Sequence, residues 1–280
     1  MNAPSIRRIA ALDEVAGDYD AVFCDVWGVL HNGLRKSEAA ESALRAARRA
    51  GARVVLVTNS PRPEPGVSAQ LAAMHVSPDA FDAIVTSGDA TRDLITRHGG
   101  PVFFLGPERD LPLFDGLPAP LVGEDEASAV VVTGLLDDRT ETPADYADRL
   151  AAWAARGLPM ICANPDIVVH VGDQLLWCAG ALARDYAALG GEVRLAGKPH
   201  APIYDLARRK AGLGPGARVL AIGDGMATDV KGAMGAGADV LFILAGIHEA
   251  EFTADDGAAR VSAVLSREGL DARYFMAKLR

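Results

Sequence analysis

Short, unbroken apolar runs alternate with helix-patterned segments along the whole chain. The runs lie at 21–25, 53–57, 83–86, 102–105, 129–133, 160–163, 219–222 and 240–243. They are rich in Val, Ile and Leu and lack polar alternation, which is the pattern of strands covered on both faces. Between them, residues 37–50, 143–156, 201–211 and 226–236 have helical spacing. Thr142-Pro143 supplies a cap hydroxyl and a proline at the first helical position. Gly51 and Gly237 follow helices as stops. The alternation predicts an α/β chain with a doubly wound, mostly parallel Rossmann-like sheet.

Two of the runs end in acids. Ala21-Val22-Phe23-Cys24 leads into Asp25, and Val219-Leu220-Ala221-Ile222 leads into Gly223-Asp224-Gly225, with Asp229 close behind. A carboxylate gains nothing by packing at the end of a buried strand. At the carboxyl ends of a parallel sheet it stands in the crevice where open α/β proteins bind ligands.

Composition narrows the function classes. The net charge of −9 over 280 residues argues against a broad basic surface for nucleic acid or an anionic membrane. A small phosphorylated ligand needs only a local nest of donors. Cys24, Cys162 and Cys178 form neither a disulfide framework nor a zinc motif, and read as buried thiols of a reducing compartment. No apolar stretch reaches the roughly 18 residues a membrane span requires, and residues 1–20 do not read as a signal peptide. These features predict a soluble, cytoplasmic protein.

The segment between Thr58-Asn59-Ser60 and Gly197-Lys198-Pro199 has its own strand–helix–strand alternation. An inserted domain over 92–191, flanked by a core of 1–91 and 192–280, accounts for this. No internal repeat or low-complexity tract is present.

Four clusters follow one another: Asp25-Val26-Trp27-Gly28-Val29-Leu30-His31-Asn32-Gly33, then Val57-Thr58-Asn59-Ser60, then Gly197-Lys198-Pro199, then Gly223-Asp224-Gly225-Met226-Ala227-Thr228-Asp229. Each alone has an ordinary reading as a turn, a helix cap or a surface charge. Lys198 is nevertheless one of five lysines beside 23 arginines. In this order, the clusters resemble the haloacid dehalogenase (HAD) superfamily of aspartate-nucleophile hydrolases. The match extends to its subclass IIA, which includes sugar-phosphate, p-nitrophenyl-phosphate and pyridoxal-phosphate phosphatases. The resemblance implies a HAD core with an inserted α/β cap of the C2a type, and a Mg²⁺-dependent phosphatase acting on a small phosphorylated metabolite.

It also implies roles. Asp25 is the nucleophile that forms an aspartyl-phosphate. Asp25, Asp224 and the backbone carbonyl of Trp27 are Mg²⁺ ligands, hard oxygens that suit this ion. Thr58, Asn59 and Lys198 hold the phosphate. Asp229 orients Lys198 or a metal-bound water. Asn164, Asp166 and His170 are the polar cap residues expected nearest the substrate, with a turn as the alternative reading of Asn164-Pro165-Asp166.

One position departs from the family pattern. The second residue after the nucleophile is normally an Asp that protonates the leaving alcohol; here it is Trp27. General acid–base catalysis is worth about 10²–10⁴ in rate, so its loss weakens a phosphatase without abolishing it. Three readings follow. The first is an active phosphatase that favours good leaving groups or draws its proton from His31. The second is a catalytically impaired protein that binds a phosphorylated ligand. The third is a metal-independent carbon–halogen hydrolase, set against by the metal-ligand role of Asp224. The tail from Arg260 to Arg280 reads as amphipathic, with Val261, Val264, Leu265, Leu270, Phe275 and Leu279 on one face. Packing on the core is its first use, and a homodimer contact its second.

Overall fold

The computed structural model describes residues 6–171, 174–253 and 255–280, with backbone alone at 170 and 171. In chain order the strands are β1 (Arg7–Arg8), β2 (Ala21–Asp25), β3 (Arg53–Thr58), β4 (Ala83–Thr86), β5 (Val102–Leu105), β6 (Ala129–Val132), β7 (Met160–Cys162), β8 (Val168–Val171), β9 (Gln174–Trp177), β10 (Val193–Leu195), β11 (Val219–Gly223), β12 (Asp239–Ile243) and β13 (Tyr274–Met276). The chain divides into two compact units. One comprises Met1–Thr58, Ser68–Val85 and Lys198–Arg280; the other comprises Asn59–Val67 and Thr86–Gly197.

The first unit is built on a seven-stranded sheet of order β1-β13-β12-β11-β2-β3-β4. β2 pairs in parallel with β3 on one side and with β11 on the other, and β12 and β13 continue outward in parallel. Every residue of β2 and β11 is buried, as their uninterrupted apolar composition requires. The crossover from β2 leads to β3, while that from β11 leads the opposite way to β12. The topological switch therefore falls between β2 and β11, and the crevice beyond their carboxyl ends is where such a sheet binds ligands.

Helix Glu38–Arg49 illustrates the local logic. The Ser37 hydroxyl accepts from Ala40 N–H at 3.2 Å, Glu38 and Glu41 occupy the first turn, and Arg48 and Arg49 the last. Ala40, Ala43, Leu44 and Ala47 form its buried stripe.

The second unit has a four-stranded parallel sheet of order β10-β7-β6-β5 and an antiparallel hairpin, β8–β9. Its core gathers Trp153, Tyr186, Leu150, Leu182 and Met160 around the sheet. Burying each large apolar side chain contributes about 1.5–3 kcal/mol. Glu124 serves this core from its surface. Arg149 donates to it through Nε and Nη2, and the Trp153 indole N–H donates to it as well. The unit is wider than 92–191. Helix Ser87–His98 belongs to it, held by a hydrogen bond from the Ser87 hydroxyl to the Ala163 carbonyl at the end of β7.

The chain after residue 260 is not one amphipathic helix. Helix Ala258–Arg267 stops before Gly269, whose φ of +67° reverses the chain. Phe275 then enters β13 as a fully buried sheet residue. The three cysteines are buried free thiols. Burial pushes Cys162 and Cys178 up to about 12. Among the described residues, no helix is long and apolar enough to cross a membrane.

Candidate active site

Strand register brings the acid-bearing motifs side by side. Cys24 pairs with Ile222, so Asp25 and the Gly223-Asp224 turn leave adjacent strands at the same level. Asp25 also pairs with Val57, which sets the buried Thr58 one residue further along β3. Asp25, Asp224 and Asp229 each present a carboxylate oxygen within 4.8 Å of the others. Lys198 reaches the same point, donating from Nζ to Asp25 Oδ1 at 2.5 Å and to Asp229 Oδ1 at 2.7 Å. All four side chains are buried.

Charge does not balance in this cluster. Three carboxylates face one ammonium, leaving two negative charges uncompensated. Like charges about 4 Å apart repel by about 4 kcal/mol at an effective dielectric of about 20, so the arrangement costs stability. The electrostatics register that cost. Burial pushes Asp25 well above the carboxylate range, with Asp229 and Asp224 adding to it against the pull of Lys198. Burial and Asp229 raise Asp224 to about 6. Burial pulls the Lys198 ammonium down, but Asp229 and Asp25 outweigh it and hold the group above its ordinary value.

The oxygens are not equivalent. Asp229 is held by the chain on both sides: Oδ1 takes Lys198, and Oδ2 takes Gly225 N–H at 3.1 Å and the Thr228 hydroxyl at 3.3 Å. It is built to orient Lys198. Asp25 offers Oδ1 to Lys198, while no described hydrogen bond ends on its Oδ2. Asp224 offers Oδ2 to Ile247 N–H at 2.8 Å and keeps Oδ1 clear in the same sense. Two hard carboxylate oxygens that accept no described hydrogen bond from another residue, in a cluster short of positive charge, fit a divalent cation such as Mg²⁺. The Trp27 carbonyl, which also accepts no described hydrogen bond, is the third oxygen the resemblance expects.

Two glycines make room for Asp224. A Cβ at Gly28 would stand 2.3 Å from Asp224 Oδ2, and one at Gly246 would stand 1.8 Å from it; both residues have φ above +90° or at it. Gly246 and the Ile247 amide were not among the residues picked out from sequence. A glycine just beyond the apolar run of β12 was the available signal.

The remaining expected residues have other partners among the described residues. His31 is buried, and its Nδ1 accepts from Gly33 N–H at 2.9 Å. Burial lowers its basicity, and no described contact joins it to the carboxylate cluster. Its work is to hold the loop after β2. In the second unit, Asn59 donates from Nδ2 to Asp166 Oδ1 at 2.9 Å, and Asn164 Oδ1 accepts from Asp166 N–H at 3.0 Å. Asn164-Pro165-Asp166 is thus a side-chain-braced turn that also holds Asn59. His170 lies in β8, with its side chain outside the described residues.

Residues 22–117 match a family described as haloacid dehalogenase-like hydrolase, and residues 195–266 match a second, HAD-hydrolase-like one. A solved hydrolase of the haloacid dehalogenase-like family from Brucella suis 1330 is 48% identical. That match covers 96% of this chain and 99% of the other, with a TM-score of 0.84. This chain belongs to the haloacid dehalogenase-like family. The 5'-nucleotidase YutF of Bacillus subtilis (strain 168) is 28% identical over 244 residues, 85% of this chain and 92% of that protein. A glycerol phosphate phosphatase from Mycobacterium tuberculosis, solved in complex with calcium, is 25% identical. It aligns with 83% of this chain and 68% of its own, at a TM-score of 0.66. Asp25 and Thr58 fall within the first matched segment, and Lys198, Asp224 and Asp229 within the second.

Proposed function

We propose that this HAD family member is a divalent-cation-dependent phosphatase acting on a small phosphorylated metabolite, with the nucleotidase and phosphatase activities of its relatives as the guide to reaction class. The observation that carries the reading is the meeting of Asp25, Asp224, Asp229 and Lys198 in one buried cluster short of positive charge. Asp25 attacks phosphorus. Its carboxylate oxygen forms a bond to phosphorus as the ester P–O bond breaks and the leaving oxygen departs with the electron pair. Water then attacks the same phosphorus, and the bond to Asp25 breaks to release inorganic phosphate and the free carboxylate. Lys198, held by Asp229, offsets charge on Asp25 and on the transferring group. The Thr58 hydroxyl and the Asn59 backbone N–H donate to the phosphate oxygens. Mg²⁺, held by Asp25, Asp224 and the Trp27 carbonyl, supplies further charge neutralisation when bound. The second unit serves as a cap domain of subclass IIA, and the protein works in the cytoplasm.

A panel of aryl, alkyl and acyl phosphates assayed for phosphate release, with Mg²⁺ and with EDTA, tests this. Metal-dependent release that Asp25→Asn abolishes is the expected result; no release from any member overturns it. Trp27, at the position of the missing acid, favours a second reading: a binder that does not turn its ligand over. That reading requires ligands that raise the melting temperature yet release no phosphate. A carbon–halogen hydrolase predicts halide release unaffected by EDTA.

A further inference from the structure

The loop that follows β12 grips the turn after β11 at two points. Ile247 N–H donates to Asp224 Oδ2 at 2.8 Å, and Gly246 leaves the room that Asp224 fills. One residue further along the loop, the His248 ring reaches Met226. The Met226 N–H donates to His248 Nε2 at 3.4 Å. Met226 opens the helical turn Met226–Val230, which carries Asp229. The first N–H groups of a helix have no acceptor within it. Here Gly225 N–H goes to Asp229 Oδ2, and Met226 N–H goes to a side chain 22 residues away.

Hydrogen bonds, not packing, hold this loop. Leu244 and Phe252 are buried, but no residue from 245 to 251 is, and Ile247 is 61% exposed. The loop is braced within itself: Glu249 N–H donates to the Gly246 carbonyl at 3.1 Å, and Glu251 N–H to the His248 carbonyl at 2.8 Å. A loop braced in this way moves as a piece, so pinning His248 also pins the Ile247 amide. The ring is oriented from its other side. Because Nε2 accepts, Nδ1 carries the ring proton and donates to Glu251 Oε1 at 2.7 Å. With both nitrogens occupied, the imidazole has no proton to give to a leaving oxygen, and its part is to hold.

We infer that His248 is a positioning residue for the metal site: by capping the turn that carries Asp229, it keeps the Ile247 amide on Asp224 and so fixes that carboxylate for Mg²⁺. The inference rests on the metal role given to Asp224 in the phosphatase reading above. Groups that hold a metal ligand from behind are typically worth about 10–100-fold in metal affinity or activity. His248 acts one step further back, through a loop, so the lower end of that range applies.

Calorimetric titration of Mg²⁺ into the full chain, with no substrate present, tests this. His248→Ala is expected to weaken Mg²⁺ binding about 10-fold. His248→Gln, whose amide oxygen reaches about as far as Nε2, restores most of it. At saturating Mg²⁺ the kcat of His248→Ala for phosphate release returns to within about 2-fold of wild type, since concentration makes up for lost affinity. Amide hydrogen exchange reads the clamp without metal: the Met226 and Ile247 N–H groups lose protection in His248→Ala and keep it in His248→Gln. Equal Mg²⁺ affinity in wild type and His248→Ala overturns the inference. So does a loss that His248→Gln fails to restore, a deficit confined to kcat at saturating Mg²⁺, or unchanged protection of the two amides. A wild-type protein that binds Mg²⁺ but releases no phosphate from any ester overturns the phosphatase reading alone. One that binds no Mg²⁺ overturns both.

Discussion

At the amino-terminal edge of the seven-stranded sheet, arginines and acids alternate from strand to strand; at the carboxyl edge, three acids crowd round one lysine. Along the first edge, Arg273 precedes β13, Asp239 opens β12, Arg218 precedes β11, Asp20 precedes β2, Arg53 opens β3 and Asp82 precedes β4. Each acid has a partner. Arg273 pairs with Asp239 at 3.3 Å and Arg53 with Asp82 at 3.4 Å, while Asp20 Oδ2 accepts Arg218 N–H at 2.7 Å. The Arg273 and Arg53 side chains are 54% and 63% exposed, so these pairs are balanced and wet. Each contributes between nothing and about 1 kcal/mol. The opposite edge is buried and unbalanced. A chain that solves the charge problem at one end of its strands and leaves it unsolved at the other has put chemistry at the second.

Four experiments can break or sharpen this contrast. Asp25→Asn has the largest expected effect. Phosphate release falls by about 10⁴-fold or more, yet the melting temperature holds or rises, because one of the two excess negative charges is gone. A drop in stability with activity intact would make the carboxyl edge as structural as the other.

Lys198→Met is next. It strands three carboxylates without a counter-charge and costs about 3–5 kcal/mol of unfolding free energy by denaturant titration.

Asp82→Asn acts at the balanced edge. Asp82 receives Arg48, Arg53 and the Val54 N–H, the last at 2.8 Å. Its loss costs about 1–2 kcal/mol and leaves turnover unchanged. Burial raises the Asp82 carboxyl, but the hydrogen bonds from Arg48 and Val54 N–H prevail and lower it. Its stabilisation is therefore present above the ordinary carboxylate range and lost as pH falls through the lowered value. The stability gap between wild type and Asp82→Asn should close below about pH 4, as measured by denaturation across pH.

Arg53→Gln is the smallest change, within about 0.5 kcal/mol. A larger loss would show that the alternating edge acts as one network.

Much of the fold was legible in the chain. A strand buried on both faces has to be apolar throughout, so β2, β3, β11 and β12 stood out from sequence. The elements without that signature were hidden. β1 is two arginines at the sheet margin, β10 is three half-buried residues, and the β8–β9 hairpin pairs only with itself. β13 was absorbed into an amphipathic reading of the tail that ran straight through Gly269, where a φ of +67° ends the helix before Phe275 is reached. Asp25, Thr58, Lys198 and Asp224 could be read as site candidates because each follows or flanks a strand in a motif of fixed order. Gly246 and the Ile247 amide were passed over, because a glycine just beyond the apolar run of β12 does not by itself say that Asp224 lies against it.

The sequence by itself determined which residues must be buried in strands and which acids would emerge where those strands end, because apolar runs and their punctuation are local properties. Only the tertiary structure decided that Asp25 and Asp224 leave neighbouring strands at one level, that Asp229 is spent on holding Lys198, and that His31 serves the backbone rather than the cluster. Register between strands nearly two hundred residues apart, and the choice of partner for each carboxylate oxygen, arise from packing the whole sheet at once, and no short stretch of chain encodes them.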